Sequence, residues 1–374
     1  VLIVMSERRK TKSSKSVKEC NTTAKIFLSR EPINAIYLNG KTPKKKKHIK
    51  RVRGEKPKPR KFTKEEKEEI TAILRERRND MPLDKKKRYF NLSWNSNPPI
   101  SEADEKNMAP QVVDNGDYAP VNDAVKTRIL EFIESFSSPM TLSQAISLRE
   151  ALLRQKSMSR NHEITKRKEE IFNEYKGGKS ILDLAQDIDC PPCNVFRAVL
   201  RQMDTGKKKK VKSYLKRPER LPKREQEELK AVLEKDIVAR FDQTQSLKLG
   251  NSFEDIIAEF LKEKGIIFVR QDQLVKEQKE EFGKAFSTPD FLLLDEVTIN
   301  GKKVNWIDGK AYYGANVPYI KGHSKSQISR YIDHWGEGAI IYLYGFNEIL
   351  NLKLEKCIVL NADRVLNIGS FSPI

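Results

Sequence analysis

The sequence TPDFLLL at positions 288–294 is followed, after Asn300-Gly301, by VNWIDGKA at 304–311. Each quoted segment contains a short apolar run of the length that forms a buried strand. An Asn-Gly pair between two such runs is a strong signal for a tight hairpin turn. These residues therefore predict two antiparallel strands, lying side by side, around which the rest of the domain is built.

Helical and strand patterns continue on both sides of this hairpin. In order, they are a helix whose apolar stripe spans 253–261 and which Gly265 ends, a strand (266–269), the hairpin, a helix (328–335), a strand (339–344) and a candidate last strand (357–360). The order α-β-β-β-α-β predicts a single α/β core of about 150 residues, which we place at 224–374.

Three charged residues lie at the ends of the two hairpin strands. Asp290 starts the first strand, and the hairpin brings it beside Asp308 on the second. Lys310 is two residues from Asp308, so both side chains point to one face. Carboxylates this close repel each other unless a cation lies between them, and hard oxygen ligands suit Mg²⁺ or Mn²⁺. The set predicts phosphodiester hydrolysis, in which Lys310 positions or deprotonates water or neutralises charge.

A third carboxylate is expected from the helix that precedes the sheet. Glu254 flanks the buried stripe of this helix, and Glu259 is the alternative because the sequence does not fix which way the helix faces. Taken singly, a strand-end Asp or an Asp-Gly-Lys run is typical of solvated turns. Taken together on adjoining strands, we interpret these residues as an active site.

Four short motifs carry a resemblance to a known family. They are TPDF at 288–291, WIDGKA at 306–311, GEG at 336–338 and IYLYG at 341–345. With them, roughly residues 160–374 resemble the TPD family of PD-(D/E)xK nucleases, and the order of elements is similar to the restriction-endonuclease-like fold. The chain departs from the animal relatives in having Asp308 where Glu is expected, and the shorter side chain could shift a bound metal.

The resemblance implies a Mg²⁺- or Mn²⁺-dependent DNA endonuclease, with branched DNA as one candidate substrate and a codanin-like protein as partner. It implies that Asp290 and Asp308 are metal ligands, with Glu254 as the helix carboxylate. It further implies Lys310 as the catalytic lysine and Gln327 as a contact to phosphate or water.

Residues 162–204 have the pattern of three short helices. Ser180 is placed to cap the second helix, and a tight turn leads into the third. This is typical of a helix-turn-helix, whose third helix would present Asn194, Arg197 and Arg201 to DNA. The alternative is a helical bundle used for packing or for binding a partner.

The pair Cys190 and Cys193 has CxxC spacing, but a structural zinc site needs four ligands and no second pair is present in the sequence. A turn with two partly buried cysteines is the favoured interpretation. Four cysteines in 374 residues also exclude a disulfide scaffold and are typical of a reducing compartment.

Positive charge is concentrated in the N-terminal part of the chain. The net charge is +20, and residues 1–61 carry 20 Lys and Arg against 4 acidic residues, whereas 224–374 is slightly acidic. Basic clusters lie at 41–61 and at 207–217, the second opening with Lys207, Lys208, Lys209 and Lys210. Such clusters predict contact with DNA or, for the first, a nuclear localisation signal, with a solvated tail as the alternative.

No apolar run approaches the about 18 residues of a membrane helix, and the opening VLIVM is too short for a signal peptide. A location in the nucleus, with the cytoplasm as an addition, is the expectation. Because the sequence begins with Val, its natural N-terminus stays open. The predicted organisation is a disordered basic tail (1–61), a charged helix and linker (62–120), a helical module with the helix-turn-helix (121–206), a basic linker (207–223) and the nuclease-like domain (224–374).

Three functional hypotheses follow. The first is the nuclease. The second is a module that keeps the fold but binds a codanin-like partner with little or no catalysis, and the third is a DNA-binding regulator that acts through the helix-turn-helix alone. The intact set of Asp290, Asp308 and Lys310 favours the first, because a purely structural descendant has no physical need of it.

Overall fold

The computed structural model describes residues 63–79, 88–94, 97–203, 208–240, 244–350 and 356–366. All of these residues belong to one compact unit of the chain. The elements, in chain order, are α1 (Lys64–Asn79), β1 (Tyr89–Leu92), α2 (Glu102–Val112), α3 (Asp123–Phe136), α4 (Leu142–Lys166), α5 (Lys168–Lys176), α6 (Ile181–Asp187), α7 (Pro192–Met203), α8 (Lys208–Lys216), α9 (Lys223–Glu234), α10 (Thr244–Glu263), β2 (Phe268–Arg270), α11 (Gln271–Phe282), β3 (Phe291–Ile299), β4 (Lys302–Lys310), α12 (Pro318–Trp335), β5 (Gly338–Tyr342), β6 (Cys357–Asn361) and α13 (Asp363–Leu366).

The strands form one mixed sheet in the order β1-β3-β4-β5-β6, with β2 also paired to β3. The hairpin of β3 and β4 is antiparallel, as the sequence predicts, and both Asn300 and Gly301 have the positive φ that its tight turn requires. Strands β5 and β6 continue the sheet in parallel to β4. Helix α12 makes the crossover from β4 to β5, the connection that a parallel pair needs.

Helix α10 covers one face of the sheet. Its apolar stripe, which includes Phe253 and Ile257, is buried against Phe291 and Ile307. Gly309 allows the close approach, since a Cβ there would lie 3.0 Å from Ile257 Cδ1 and 3.4 Å from the Phe253 ring. The helix is therefore held directly over the strand that carries Asp308 and Lys310.

Helix α12 covers the opposite face, joined by α11 and α1. The side chains that meet there include Leu74, Leu274, Ile328, Tyr331 and Trp335. The Trp306 indole packs over Gly338, where a Cβ would come within 2.1 Å of its Cε2 atom. The even-numbered residues of β4, among them Asp308, point towards this face.

The remaining helices form two further clusters. One joins α2, α3 and α4 to the segment between β4 and α12, with Tyr313 and Ile320 in its core. The other comprises α5 to α9 and encloses α7, whose Val195, Phe196 and Val199 are buried. Ser180 caps α6 as predicted, its Oγ accepting from the Asp183 N–H at 3.1 Å.

The mixed α/β character of the chain is confirmed, but three local expectations were wrong, and one of them is the αβββαβ order itself. Residues 90–120, predicted as a linker, contain most of β1 and all of α2. Residues 207–223, also predicted as a linker, contain α8, where Val211 is buried. Helix α11 interrupts the predicted run of three strands.

The physical reason differs between the three. β1 and α2 gain their apolar neighbours from distant parts of the chain, such as β3, which local composition does not reveal. The few apolar side chains of α8 and α11 are spread among many charged ones, so their periodicity is weak. The basic cluster at 41–61 and the predicted tail 1–61 lie outside the described residues, and the five-part division of the chain stays a prediction. In the described ranges, no helix is both long and apolar enough to cross a membrane.

Candidate active site

Asp290 and Asp308 lie on neighbouring strands and face the same side of the sheet. Phe291 pairs with Ile307, and this register continued by one residue places Asp290 opposite Asp308. The backbone N–H of Gly309 donates to Asp290 Oδ2 at 2.8 Å. Both aspartate side chains are almost fully buried. The predicted pairing of the two carboxylates is therefore present.

Lys310 completes the pair on the same face of β4. Its Nζ is ion-paired with Asp308 Oδ2 and donates to Gln327 Oε1 at 3.1 Å. Gln327 Nε2 donates to the Tyr331 hydroxyl at 2.8 Å and lies 3.4 Å from Asp308 Oδ1. The Tyr331 hydroxyl donates to the carbonyl of Thr288 at 3.0 Å, which joins α12 to the start of β3. One hydrogen-bonded chain thus fixes the lysine, the amide and the phenol.

Asp290 and Asp308 bring two carboxyl groups close together at a place from which solvent is largely excluded. Burial, with the nearby charges of Asp308 and Glu254, raises the pKa of Asp290 to about 8. Burial works against the charge of Lys310, but Asp308, Tyr312 and Asp290 together outweigh burial and raise the pKa of the lysine. In this structure Lys310 is therefore a positive charge and a hydrogen-bond donor beside the two carboxylates.

Glu254 approaches from α10, on the other side of the sheet. It is half-buried, and Arg270 Nη2 lies 3.8 Å from its Oε2. Burial raises the pKa of Glu254, Arg270 partly offsets this rise, and Asp308 adds to it. Glu254 is thus within electrostatic range of the aspartates. The alternative, Glu259, is exposed on the same helix.

Two residues of the site were missed by the sequence reasoning. Gln271 Nε2 donates to Asp290 Oδ1 at 3.0 Å, and its backbone N–H donates to the Asp290 carbonyl at 3.0 Å. Tyr331 was placed only among apolar helix positions. Its spacing of four from Gln327 was the available signal, because such residues lie on one helix face. Nothing in the sequence near Gln271 predicts its contact, which depends on how β2 turns into α11.

The residues predicted to contact DNA from α7 are less free than expected. Asn194 and Arg197 are half-buried, and Arg197 donates to Asn194 Oδ1 at 2.7 Å and to the Ala239 carbonyl at 2.8 Å. Arg201 is exposed. Lys207 lies outside the described residues, and of Lys208, Lys209 and Lys210 the structure gives only the helical backbone of α8. Their contact with DNA stays a prediction.

The donor set suits a hard divalent cation that keeps part of its water. Within the described ranges, no group of three or more His, Cys, Asp or Glu side chains is placed to hold a metal ion. Mg²⁺, however, is commonly held by one or two carboxylates and by the phosphate of its substrate. The raised pKa of Asp290 is the relevant observation, because burial and the nearby carboxylates disfavour its negative charge and a cation beside it would favour that charge.

Residues 221–364 match the model of a family described as "Protein of unknown function TPD sequence-motif". The human protein named CDAN1-interacting nuclease 1 is 26% identical over 190 residues, which are 49% of this chain and 65% of that protein. The mouse protein of that name is 26% identical over 193 residues, with the same coverage. The bovine one is 32% identical over 114 residues, 30% of this chain and 38% of that protein.

The matched region spans less than two thirds of the length of each of these relatives. No solved structure matches the chain significantly. The range that the family model matches contains all four motifs, from TPDF at 288–291 to IYLYG at 341–345. This chain therefore resembles the TPD sequence-motif family and the animal CDAN1-interacting nucleases.

Proposed function

We propose that this chain is a metal-dependent DNA endonuclease of the PD-(D/E)xK class with a restriction-endonuclease-like core. The observation that carries the proposal is the joint position of Asp290, Asp308 and Lys310 on one face of two paired strands. The nuclease names of the animal relatives support it. The six-stranded mixed sheet, with α10 on one face and α12 on the other, supports the proposed fold class.

Asp290 and Asp308 would hold Mg²⁺ or Mn²⁺, with Glu254 at the edge of the site. When bound, such an ion polarises a phosphoryl oxygen and lowers the pKa of water. Each aspartate oxygen already accepts a contact from Gln271, Gly309 or the Lys310–Gln327 pair. These contacts leave lone pairs free, because a carboxylate has about four acceptor positions.

The chain's own residues supply the positioning and the charge. Lys310 is protonated and lies beside the carboxylate pair, so that it neutralises negative charge on a phosphate undergoing attack. Gln327 accepts a hydrogen bond from Lys310 through Oε1 and donates one to the Tyr331 hydroxyl through Nε2. These two hydrogen bonds fix the direction of the ammonium group. Burial of the pair excludes water other than the molecule that reacts.

The proposal is tested by cleavage of labelled duplex and four-way-junction DNA in the presence of Mg²⁺ or Mn²⁺. Asp308→Ala and Lys310→Ala should each lose at least about 100-fold in rate, since each removes a group that acts on the reacting phosphate. Lys302→Ala is the matched control, because Lys302 is an exposed lysine at the far end of the same strand. Equal cleavage by all four proteins would refute the assignment, and the two substrates show whether branched DNA is preferred.

The names of the relatives also support a codanin-like protein as partner of this chain. A module that binds this partner with little catalysis is the second candidate, since binding would not need the ion pair of Lys310. A pull-down with the codanin homologue, using wild type and Lys310→Ala, separates the roles. Retained capture together with lost cleavage supports both functions. Capture without cleavage by wild type supports the second candidate alone.

We also propose a nuclear location for this chain. Fluorescence microscopy of the tagged full chain in cells tests it.

A further inference from the structure

Helix α4 is hydrogen-bonded to the segment that follows β4, just after the candidate active site. The Tyr313 N–H donates to Ser147 Oγ at 2.9 Å, and the Tyr319 N–H donates to Gln155 Oε1 at 2.9 Å. Ser147 and Gln155 are eight residues apart, about 12 Å along a helix. Tyr313 itself follows Lys310 by three residues. Helix α4 is therefore a fixed wall beside the end of β4.

The basic side chains of α4 differ in what they contact. Arg149 is buried against the carbonyl of Val112, Lys156 is ion-paired with Asp189, and Arg160 donates to the Ile188 carbonyl. Arg154 and Lys166 are exposed and form no hydrogen bond or ion pair with any of the described residues. Arg154 lies one residue before Gln155, on the attached stretch of the helix. Lys166 lies about 18 Å further along.

Arg154 is close to the aromatic residues that follow Lys310. Burial raises the pKa of Tyr312 and of Tyr319, and the charge of Arg154 counters the rise in both. Lys310 and Asp308 act on the pKa of Tyr312 as well, so this tyrosine is within electrostatic range of both Arg154 and the carboxylate site. Both tyrosines are half-buried.

Glu150 lies one helical turn before Arg154. It is exposed, yet surrounding protein raises its pKa, which Arg154 and Arg149 counter. Residues four apart lie on one face of a helix, so Glu150 and Arg154 provide charges of opposite sign on the same exposed face of α4.

We propose that α4 borders the path of nucleic acid and that Arg154 binds a backbone phosphate of the strand presented to Lys310, with Tyr312 and Tyr319 beside it. The inference rests on the proposed nuclease function and names a contact that the helix-turn-helix hypothesis does not contain. The part of the chain from 224 onwards is slightly acidic. Lys310 supplies positive charge at the site itself. Arg154 is an exposed guanidinium that has no hydrogen bond or ion pair with the described residues, so it can add a phosphate contact.

The test measures binding of fluorescently labelled duplex DNA to the full chain in EDTA, by anisotropy over a series of salt concentrations. Arg154→Ala should bind roughly 10-fold more weakly and reduce the slope of log K against log salt by about 1, as loss of one phosphate contact requires. Glu150→Gln should bind more tightly, because it removes a charge that repels phosphate. Lys166→Ala is the matched control and should stay within about 2-fold of wild type, since only short-range charges act strongly through salt.

Equal affinity and slope for Arg154→Ala and Lys166→Ala would overturn the inference, and so would wild type that binds no DNA. The melting temperature of Arg154→Ala should equal that of wild type, because the side chain makes no hydrogen bond or ion pair with the described residues. Cleavage with Mg²⁺ is measured separately. If DNA binding depends on Arg154 but wild type cleaves no DNA, the Arg154 contact is supported and the nuclease proposal is refuted. If wild type cleaves DNA but Arg154→Ala binds it unchanged, the nuclease proposal is supported and the Arg154 contact is refuted.

Discussion

Asp290 Oδ2 accepts a hydrogen bond from the backbone N–H of Gly309 at 2.8 Å, which ties the carboxylate of one strand to the residue between the two charged positions of the next. Gly309 has its other side against Ile257 and Phe253 of α10. The carboxylate pair on one face of the sheet is thus coupled, through one residue without a side chain, to the helix on the other face that carries Glu254.

Gln327 is a positioning residue. Gln327→Ala should lower the cleavage rate about 10- to 100-fold, since a displacement of Lys310 by about 1 Å is enough for such a loss. DNA affinity should change little, because the side chain contacts Lys310, Asp308 and Tyr331 within the protein. The measurement is kcat and KM on one substrate. A change in KM alone would contradict the role.

Glu105 holds α2 to the segment that follows β4. Its carboxylate accepts from the Tyr313 hydroxyl at 2.9 Å and from the Asn316 N–H at 3.0 Å, in a buried place. Glu105→Ala leaves both donors without a partner, and we expect a loss of about 2–4 kcal/mol in the free energy of unfolding by urea. Glu105→Gln keeps an acceptor and should lose less than about 1 kcal/mol.

The pH dependence of these proteins gives a further check. Burial raises the pKa of Glu105. A carboxyl group with a raised folded-state pKa binds more protons in the folded protein, so its contribution to stability falls as pH rises from the unfolded pKa through the folded one. The free energy of unfolding of Glu105→Gln should therefore increase relative to that of wild type as pH rises through that interval. Equal pH profiles would contradict the raised pKa.

Helix α1 is attached to α12 through a buried histidine. The Thr71 hydroxyl donates to the Lys67 carbonyl at 2.7 Å, so it accepts the hydrogen bond from His334 Nε2 at 2.8 Å. Burial lowers the pKa of His334 below its usual value near 6.5. The folded protein disfavours the protonated ring, so the stability of this buried arrangement is fully present above that value and is lost as pH falls towards the folded-state pKa.

Hydrogen exchange of the α1 amides is the measurement, and protection should decrease as pH is lowered from 7.5 to 5.5, after correction for the intrinsic exchange rate. His334→Gln should flatten the profile. His323→Gln is the control on the same helix, because His323 is exposed. A flat profile for wild type would contradict the lowered pKa of the buried His334 ring.

Gly338 has a packing role that the sequence did not reveal. A Cβ at this position would lie 2.1 Å from Cε2 of the buried Trp306. Gly338→Ala should therefore lower the free energy of unfolding by about 3 kcal/mol or more, or fail to fold. Gly322→Ala is the control: its Cβ meets no atom within 4 Å, and Ala in a helix should gain up to about 1 kcal/mol. Equal unfolding midpoints for the two variants would contradict the packing.

The sequence was sufficient where the chemistry is local. The Asn-Gly turn and two apolar runs determine the β3–β4 hairpin, and period-two alternation then places Asp308 and Lys310 on one face without further information. The Thr63 and Glu66 capping box at the start of α1 is an equally local feature, and both of its hydrogen bonds are present. Short-range geometry explains each of these successes.

The sequence was insufficient where partners come from far along the chain. β1 joins the sheet only because β3 offers a free edge about 200 residues later. Gln271 reaches Asp290 across the turn from β2 into α11, and Glu254 faces the site only because Gly309 lets α10 approach. Arg197 looked free on a helical wheel but is enclosed by the segment around Ala239. Such relations depend on tertiary packing, which single-sequence patterns do not contain.

The central claim is that Asp290 and Asp308 together bind a divalent cation, and calorimetric titration of Mn²⁺ into the metal-free full chain at pH 7 tests it most directly. Asp290 has a pKa of about 8, so binding should release close to one proton, read from the heat in buffers of different ionisation enthalpy. Asp290→Asn should abolish binding, while Lys302→Ala should bind as wild type does. Mn²⁺ binding of equal strength to wild type and Asp290→Asn, or no binding to wild type, would contradict the account.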